Sequence, residues 1–351
     1  TIILSSILAG TLVLGVPTVA AAAESATSVA DAVSAVDKAT TSDTLSNDVF
    51  SYTIDSLNRV TITKCDSTAE TIVVPATLPD ADGLACKVTT IGPKAFSASK
   101  AVNVTISNGV TTISANAFTG CTSLVSVSLP NSITSMGQYA FSKCSALKTV
   151  NIPTGMSTIP SNAFSYCTSL ASIYIPENIT RSQAAAFKGC TKLTNANCPL
   201  SLSLKNGAIA NDAFDKCPVS VFRVEKDITE QYLAINGMCG SKDDVVIPTE
   251  IGGMKVIAIA DEAFGKAANT PYFASIKAVT IPEGITSIGK KAFTKAAALI
   301  NVSIPSTVTI ISESAFEQCT SLTSAPLHDK IIEIGTNAFK GCSSMKTATI
   351  Y

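Results

Sequence analysis

The stretch "NAFTGCTSL" (Asn116–Leu124) decides the fold, because the chain keeps rewriting it. It returns as "YAFSKCSAL" (Tyr139–Leu147), "NAFSYCTSL" (Asn162–Leu170), "AAFKGCTKL" (Ala185–Leu193), "SAFEQCTSL" (Ser314–Leu322) and "NAFKGCSSM" (Asn337–Met345). Ten Ala-Phe phrases end at Phe96, Phe118, Phe141, Phe164, Phe187, Phe214, Phe264, Phe293, Phe316 and Phe339, with gaps of 22, 23, 23, 23, 27, 50, 29, 23 and 23. A period near 23 marks a solenoid and lies in the range of leucine-rich repeats.

One unit reads "LVSVSLPNSITSMGQYAFSKCSA" (Leu124–Ala146), with apolar residues at Leu124, Val127, Leu129, Ile133, Met136, Ala140, Phe141 and Cys144. Val127-Ser128-Leu129 alternates as a half-buried strand does. Pro130 ends that strand, having no N–H for a ladder; the same proline recurs at Pro75, Pro153, Pro176, Pro199, Pro248, Pro282 and Pro305. Ile133 and Met136 fall on a second short extended piece. The Ala-Phe phrase is expected to form a tight helical turn, with Phe filling the middle of the coil. A single coil cannot bury both of its faces, so stability must come from stacking.

Two segments interrupt the period. "VFSYTIDSLNRVTITKCDSTAETIVVP" (Val49–Pro75) and "VFRVEKDITEQYLAINGMCGSKDDVVIP" (Val221–Pro248) share an opening Val-Phe, a Cys and a closing Val-Val/Ile-Pro. Each reads as strands covering the raw edge of a solenoid. The expected organisation is two stacked-repeat arrays, 49–219 and 220–351, each with an N-terminal β cap. Ahead of them, "TIILSSILAGTLVLGVPTVAAAAES" (Thr1–Ser25) has the apolar run and A-x-A-like end of a secretory signal peptide over residues 1–23, without its basic start. Residues 24–48 are rich in Ser, Thr, Ala and Asp and read as a disordered linker. After signal cleavage no second apolar run is long enough to span a membrane. The final "TATIY" stops inside a strand, which would leave a sheet edge bare; more chain or a short cap is expected beyond Tyr351.

The recurring motif L-x-x-V-x-I-P-x-x-[VI]-x-x-I-x-x-x-A-F-x-x-C resembles the BspA-like leucine-rich repeats of bacterial surface proteins, over about residues 50–351. The resemblance implies a β-rich leucine-rich-repeat solenoid with short helical turns. It also implies a secreted or cell-surface bacterial protein used in adhesion, whose partner is a protein or glycan such as host matrix or another cell. Two departures stand out: Ser182 replaces an apolar residue in "ENITRSQAAAF", and "LTNANCPLSLSLKNGAIANDAF" is lengthened by four, so the array is expected to bend or loosen between Ile179 and Asp212. No Asn follows the strand, so no Asn ladder satisfies the backbone.

Of eleven cysteines, seven (Cys121, Cys144, Cys167, Cys190, Cys217, Cys319, Cys342) share one repeat position, which Ser99, Ala267 and Ala296 fill in other units. A site that accepts Cys, Ala or Ser asks for a small buried side chain. Cys65 and Cys86, both in the first cap, are the better candidates for a bridge, although Met254 stands where the second cap would need its partner for Cys239.

The chain has 351 residues, 46% hydrophobic and 15% charged, with a net charge of −1, no Trp and one His. That charge does not suggest nucleic-acid binding. His328, beside Asp329, reads as a solvated loop residue rather than a general base, since no nucleophile motif accompanies it. Glu177 and Glu283 read as solvated surface rather than as a glycosidase pair. No catalytic residue, metal site or cofactor is expected. The best binding surface is the outward strand face: Asn103, Thr105, Ser126, Ser128, Thr149, Asn151, Ser172 and Tyr174, continued by Asn195, Asn197, Thr280, Asn301, Ser303, Ser324 and Thr347. It is polar, small and nearly uncharged, and only Tyr174 is a typical hot-spot residue. Tyr272 and Phe273, in the lengthened loop Gly265–Ala278, extend the candidate site. These features point to a non-enzymatic binding module; the alternative is a spacer or wall element that displays a domain beyond residue 351.

Overall fold

Parallel strand pairing between consecutive coils builds the protein, as the repeat requires. The computed structural model describes residues 44–205, 207–240, 243–265 and 275–350. The expected signal peptide and most of the expected linker lie outside them. The last residues of that linker, Leu45–Ser46, pair antiparallel with Phe50–Ile54.

One row of strands runs Thr71–Val74, Asn103–Ile106, Ser126–Ser128 and Thr149–Val150, followed by the separate pair Ser172–Tyr174 and Asn195–Asn197. A second row runs Ala85–Ile91, Thr112–Ile113 and Ser135–Met136, followed by the pair Thr158–Ile159 and Arg181–Ser182. The later coils repeat both rows, with Asp244–Val246, Ala278–Thr280 and Asn301–Ser303 on the first side and Met254–Ile259, Ser287–Ile288, Ile310–Ile311 and Glu333–Ile334 on the second.

Two antiparallel hairpins head the rows, Phe50–Ile54 with Arg59–Cys65 and Val221–Lys226 with Leu233–Cys239. Each inner strand pairs parallel with the first coil after it. An aspartate closes each hairpin. Asp55 Oδ1 accepts the amides of Leu57 and Arg59, and Asp227 Oδ1 those of Gln231 and Tyr232. Such side-chain-to-backbone turns are what Asp does best.

The interior is mainly apolar, with a few buried polar side chains such as Ser142, Ser165 and Ser182. The repeat phenylalanines from Phe96 to Phe316 are at most 1% exposed, and their rings stack nearly parallel, 4.5–5.5 Å apart, in two series: Phe96 to Phe214 and Phe264 to Phe339. Two apolar clusters enclose these series within one compact unit, residues 43–351. They interlock at the seam. Val221 and Cys239 of the second hairpin belong to the first cluster, while Leu200 and Leu204 pack against the second.

The Ala-Phe segment differs from the expected helical turn. Its amides alternate. Ala117, Thr119 and Cys121 donate to the carbonyls of Ser114, Asn116 and Phe118 in their own coil, whereas Asn116, Phe118 and Gly120 donate to Gln138, Ala140 and Ser142 of the next. The segment is therefore an arm with its own ladder, and that ladder does the work the missing Asn ladder does not. Described residues two before and two after the repeat Phe take positive φ, except Asp212 before Phe214; Asn116 is at 61° and Gly120 at 72°. Asn and Gly tolerate that region best, yet Tyr139, Lys143 and Tyr166 hold it too, at 59–62°. The described α-helix is Leu200–Leu204, inside the lengthened unit.

One coil, Leu147–Cys167, breaks both rows. Ser114, Gly137 and Gln183 each donate an amide to the second-row residue one coil back, Ile91, Ile113 and Ile159. Pro160 holds the matching position and has no N–H to give. On the first row, Asn151 turns its side chain into the ladder: Nδ2 donates to Leu129 O (2.6 Å) and Oδ1 accepts from Leu129 N (2.9 Å).

Candidate functional site

Alternation along each first-row strand turns one set of side chains into the core and the other to solvent. Val104, Val127 and Ile173 are buried, while Asn103, Thr105, Ser128, Thr149, Asn151, Ser172 and Tyr174 are exposed and Ser126 is half-buried. The expected strip residues therefore point outward, in two series separated by the break in the row after Val150. Tyr174 is the main apolar anchor of the strip, 61% exposed. Around the broken coil the strip hollows out. A shallow depression of about 410 Å³ is lined by Val104, Thr105, Ser126, Val127, Ser128, Thr149, Val150 and Asn151. A second groove, of about 340 Å³, opens beside Pro160 on the other row, between Met136, Gly137, Thr158 and Gln183.

Much of the polar capacity of the strip is already used between coils. Ser126 Oγ donates to Asn103 Oδ1 (2.7 Å), and Asn151 is held by Leu129. In the later coils Ser303 Oγ accepts the amide of Ile281 (3.0 Å). Thr105, Ser128, Thr149, Ser172 and Tyr174 make no side-chain hydrogen bond among the described residues and are exposed, so their polar groups are left to solvent. Tyr272 and Phe273 lie outside the described residues.

The remaining candidates are structural. His328 is not a solvated loop residue: its half-buried ring donates Nε2–H to the carbonyl of Pro305 one coil back (2.8 Å), leaving Nδ1 buried without a partner. Glu283 is exposed but not merely solvated, because its carboxylate accepts from Ser306 N and Oγ. Glu177 sits in the earlier coils, and Ser201 bonds only its backbone carbonyl.

All eleven cysteines are free, Cys65 and Cys86 included. The repeat thiols do more than fill space. Each Sγ–H donates to the carbonyl of the preceding repeat Phe, from Cys121 to Phe96 (2.8 Å) through Cys217 to Phe187 (3.0 Å) and from Cys342 to Phe316 (3.1 Å). Hydrogen bonding to the neighbouring thiol, with burial, pushes Cys144, Cys190, Cys217 and Cys319 well above the usual thiol range. Burial raises Cys198 and Cys239 to about 11. Protonated, buried thiols are inert. Among the described residues no group of three or more His, Cys, Asp or Glu is arranged to hold a metal ion, and no helix is long and apolar enough to cross a membrane.

Sequence reasoning missed the arm ladder and the Pro160 groove. Both had signals: Asn or Gly at the positive-φ positions (Asn116, Asn162, Asn337, Gly120, Gly189, Gly341), and a proline where other coils carry Gly, Ser or Gln.

The family model described as a BspA type leucine rich repeat region matches residues 89–220 and 257–351 in six copies. The chain belongs to this family. The matched BspA-type segments include all ten repeat phenylalanines and omit both hairpins and the strands Thr71–Val74 and Asp244–Val246 that open the first row. Solved structures similar to this BspA-type chain include a leucine rich cell surface protein from Faecalibacterium prausnitzii, at 21% identity over 88% of this chain and 95% of that one, with a TM-score of 0.38. A leucine-rich repeat protein from Bacteroides capillosus is 29% identical over 38% of this chain and 98% of its own, with a TM-score of 0.35. The pneumococcal vaccine antigen PcpA is 18% identical over 88% and 82%, with a TM-score of 0.41. No curated protein matches the chain significantly.

Proposed function

We propose that this BspA-type protein is a secreted or cell-surface bacterial module for adhesion or recognition, without catalytic activity. It binds a protein or glycan, on host matrix or another cell, through the strand strip. The observation that carries this reading is the hollow at Thr105, Ser126, Ser128, Thr149 and Asn151, with exposed Tyr174 farther along the same row. A concave, polar surface with one aromatic anchor suits extended contact rather than a deep pocket. The division into capped arrays at 49–219 and 220–351 belongs to the same proposal, as does a role for Tyr272 and Phe273.

The test is capture of matrix proteins and glycans by the full chain and by a Thr105→Glu/Ser128→Glu/Tyr174→Ala variant. These side chains are outward, so the melting temperature should stay put while capture falls at least tenfold. Asn151 is left intact because its amide holds Leu129. Unchanged capture overturns the strip. A second reading, a spacer displaying a domain beyond residue 351, is favoured by the strip groups already committed between coils, Ser126 with Asn103 and Asn151 with Leu129. It predicts that the isolated chain captures nothing.

A further inference from the structure

Net charge hides a segregation. Residues 86–220 carry ten Lys or Arg against three Asp or Glu, and residues 44–85 carry two against six. From Gly83 to Pro176 there is no Asp or Glu at all. Most of the excess positive charge sits on one side of the coils. Lys94, Lys100, Lys143, Lys148, Lys192 and Lys216 are exposed, and each lies between two residues before a repeat Phe and seven after it. They thus occupy the Ala-Phe arms and the loops leading from the arms to the strands. The arms stack in register: Gly120 N donates to Ser142 O, Lys143 N to Ser165 O, Tyr166 N to Lys188 O and Gly189 N to Asp215 O. Lys188 is neutralised by Asp215 (2.9 Å), and Asp212 shares the last arm, whereas the other six lysines make no ion pair among the described residues.

Two tyrosines share this face. Tyr139 and Tyr166 are 41% and 42% exposed. The ring of Tyr166 lies on Gly189, where a Cβ would come within 2.7 Å of it. That glycine lets the ring lie flat against the coil.

We infer that the Ala-Phe face of residues 86–220 is a second docking surface, for a linear polyanionic polysaccharide. Unpaired lysines on a low-acid face create a positive field that attracts an extended anion. Lysine is a hydrated point charge, suited to diffuse carboxylate or sulfate, whereas bidentate phosphate recognition calls for Arg; this face has none, Arg181 lying on the second strand row. Coils repeat at about 5 Å, comparable to one sugar in an extended chain, and a flat tyrosine ring offers an apolar face to pyranose C–H groups. The matching face of the later coils lacks this character, since Lys290 is bridged to Glu313 (2.7 Å) and Glu262 and Glu317 sit on the same arms.

The experiment measures binding of the full chain to dextran sulfate and to alginate over a range of salt, with neutral dextran and poly(dT) as comparators. Lys143→Gln/Lys148→Gln/Lys216→Gln should weaken binding to the sulfated or the carboxylated polymer at least tenfold. It should also flatten the slope of log affinity against log salt by roughly two to three, in line with about one unit per lost contact. Lys290→Gln/Lys291→Gln/Lys295→Gln removes the same net charge and should change affinity less than about threefold. Both variants should keep the wild-type melting temperature. Equal losses from the two triples, equal binding to neutral dextran, no binding to either polyanion, or tighter binding to poly(dT) at matched charge would each overturn the assignment.

Discussion

The six-ring stack from Phe96 to Phe214 and the four-ring stack from Phe264 to Phe339 are written in the same phrase, and inside they are nearly the same object. Rings stack 4.5–5.5 Å apart in both, and each repeat Phe amide before the last of its stack donates to the Ala carbonyl of the next coil at 2.7–2.8 Å. Outside they diverge. The first stack carries unpaired lysines and no acid before its last arm; the second mixes Lys with Glu on its arms and bridges Lys290 to Glu313. Packing constrains what points inward at every repeat, because a ring shifted by one coil would leave a void. Nothing in the packing constrains the outward side, so function is free to be written there.

The sharpest way to break the likeness is to remove a ring from each stack. Phe141→Ala and Phe293→Ala should each cost about 3–5 kcal/mol, since each leaves a cavity between two fixed neighbours. Denaturant unfolding followed by fluorescence and circular dichroism gives the loss. The seam, where Val221 and Cys239 of the second hairpin sit in the first interior, predicts that both probes keep one shared transition. Two separated transitions, with Phe141→Ala moving only one, would show that the stacks fold independently.

The difference between inside and outside also explains what was legible beforehand. The repeat Phe, the small Cys/Ala/Ser position and the strand-ending prolines are periodic constraints of packing, and a period can be read without coordinates. The outward strip followed from strand alternation in the same way. What was not legible depends on single exceptions and on pairing across coils. Asn151 looked like another solvent-facing amide, yet it mends the ladder at Leu129. Pro160 removes one bond from a repeated series, which shows only once the coils are stacked. The arm is expected as a helical turn from its Ala-Phe phrase, and its own i−3 bonds do imitate one, but the alternate bonds to the next coil exist only once coils stack. The thiols were read as filler, and their donation to Phe carbonyls also needs the neighbouring coil. The charged face stayed hidden because net charge sums opposite signs from different segments.

Those thiols supply the second contrast, of intermediate size. Raised thiols at Cys144, Cys190, Cys217, Cys198 and Cys239 belong to the first stack and the seam, against Cys319 in the second. A thiol raised in the fold holds its proton there while the unfolded chain releases it above about pH 8.5. Its stabilising contribution is intact below that pH and is lost as pH climbs towards the folded value. For Cys198 and Cys239 the window is from about 8.5 to about 11. The loss is about 1.4 kcal/mol per pH unit for each thiol. Cys239→Ala should lower the slope of unfolding free energy against pH by that amount. Ile235→Val, on the same strand and without an ionisable group, is the control for general packing loss, which should shift the curve without changing its slope. An unchanged slope in Cys239→Ala would mean that its thiol ionises as easily in the fold as out of it.

The smallest expected effect makes one coil of the first stack resemble the second. Ser182 occupies the inward position held by Ile113, Met136 and Ile159 before it and by Ile288 and Ile311 in the later coils. It is 1% exposed, its hydroxyl has no partner, and its backbone is already satisfied by Ala208 and Ala210. An unsatisfied buried hydroxyl costs about 1–3 kcal/mol, and a β-branched apolar residue suits a strand flanked by Ile159 and Ile209. Ser182→Val should therefore stabilise the protein by about 1–2 kcal/mol, read as a higher denaturation midpoint with an unchanged m-value. A loss instead would mean that the lengthened coil has closed around the serine, leaving no room for two methyl groups. In that case Ser182→Ala, which removes the hydroxyl without adding volume, should still raise the midpoint. If both variants lower it, the hydroxyl has found a partner such as a buried water, and the looseness expected between Ile179 and Asp212 would then be filled by solvent rather than by chain.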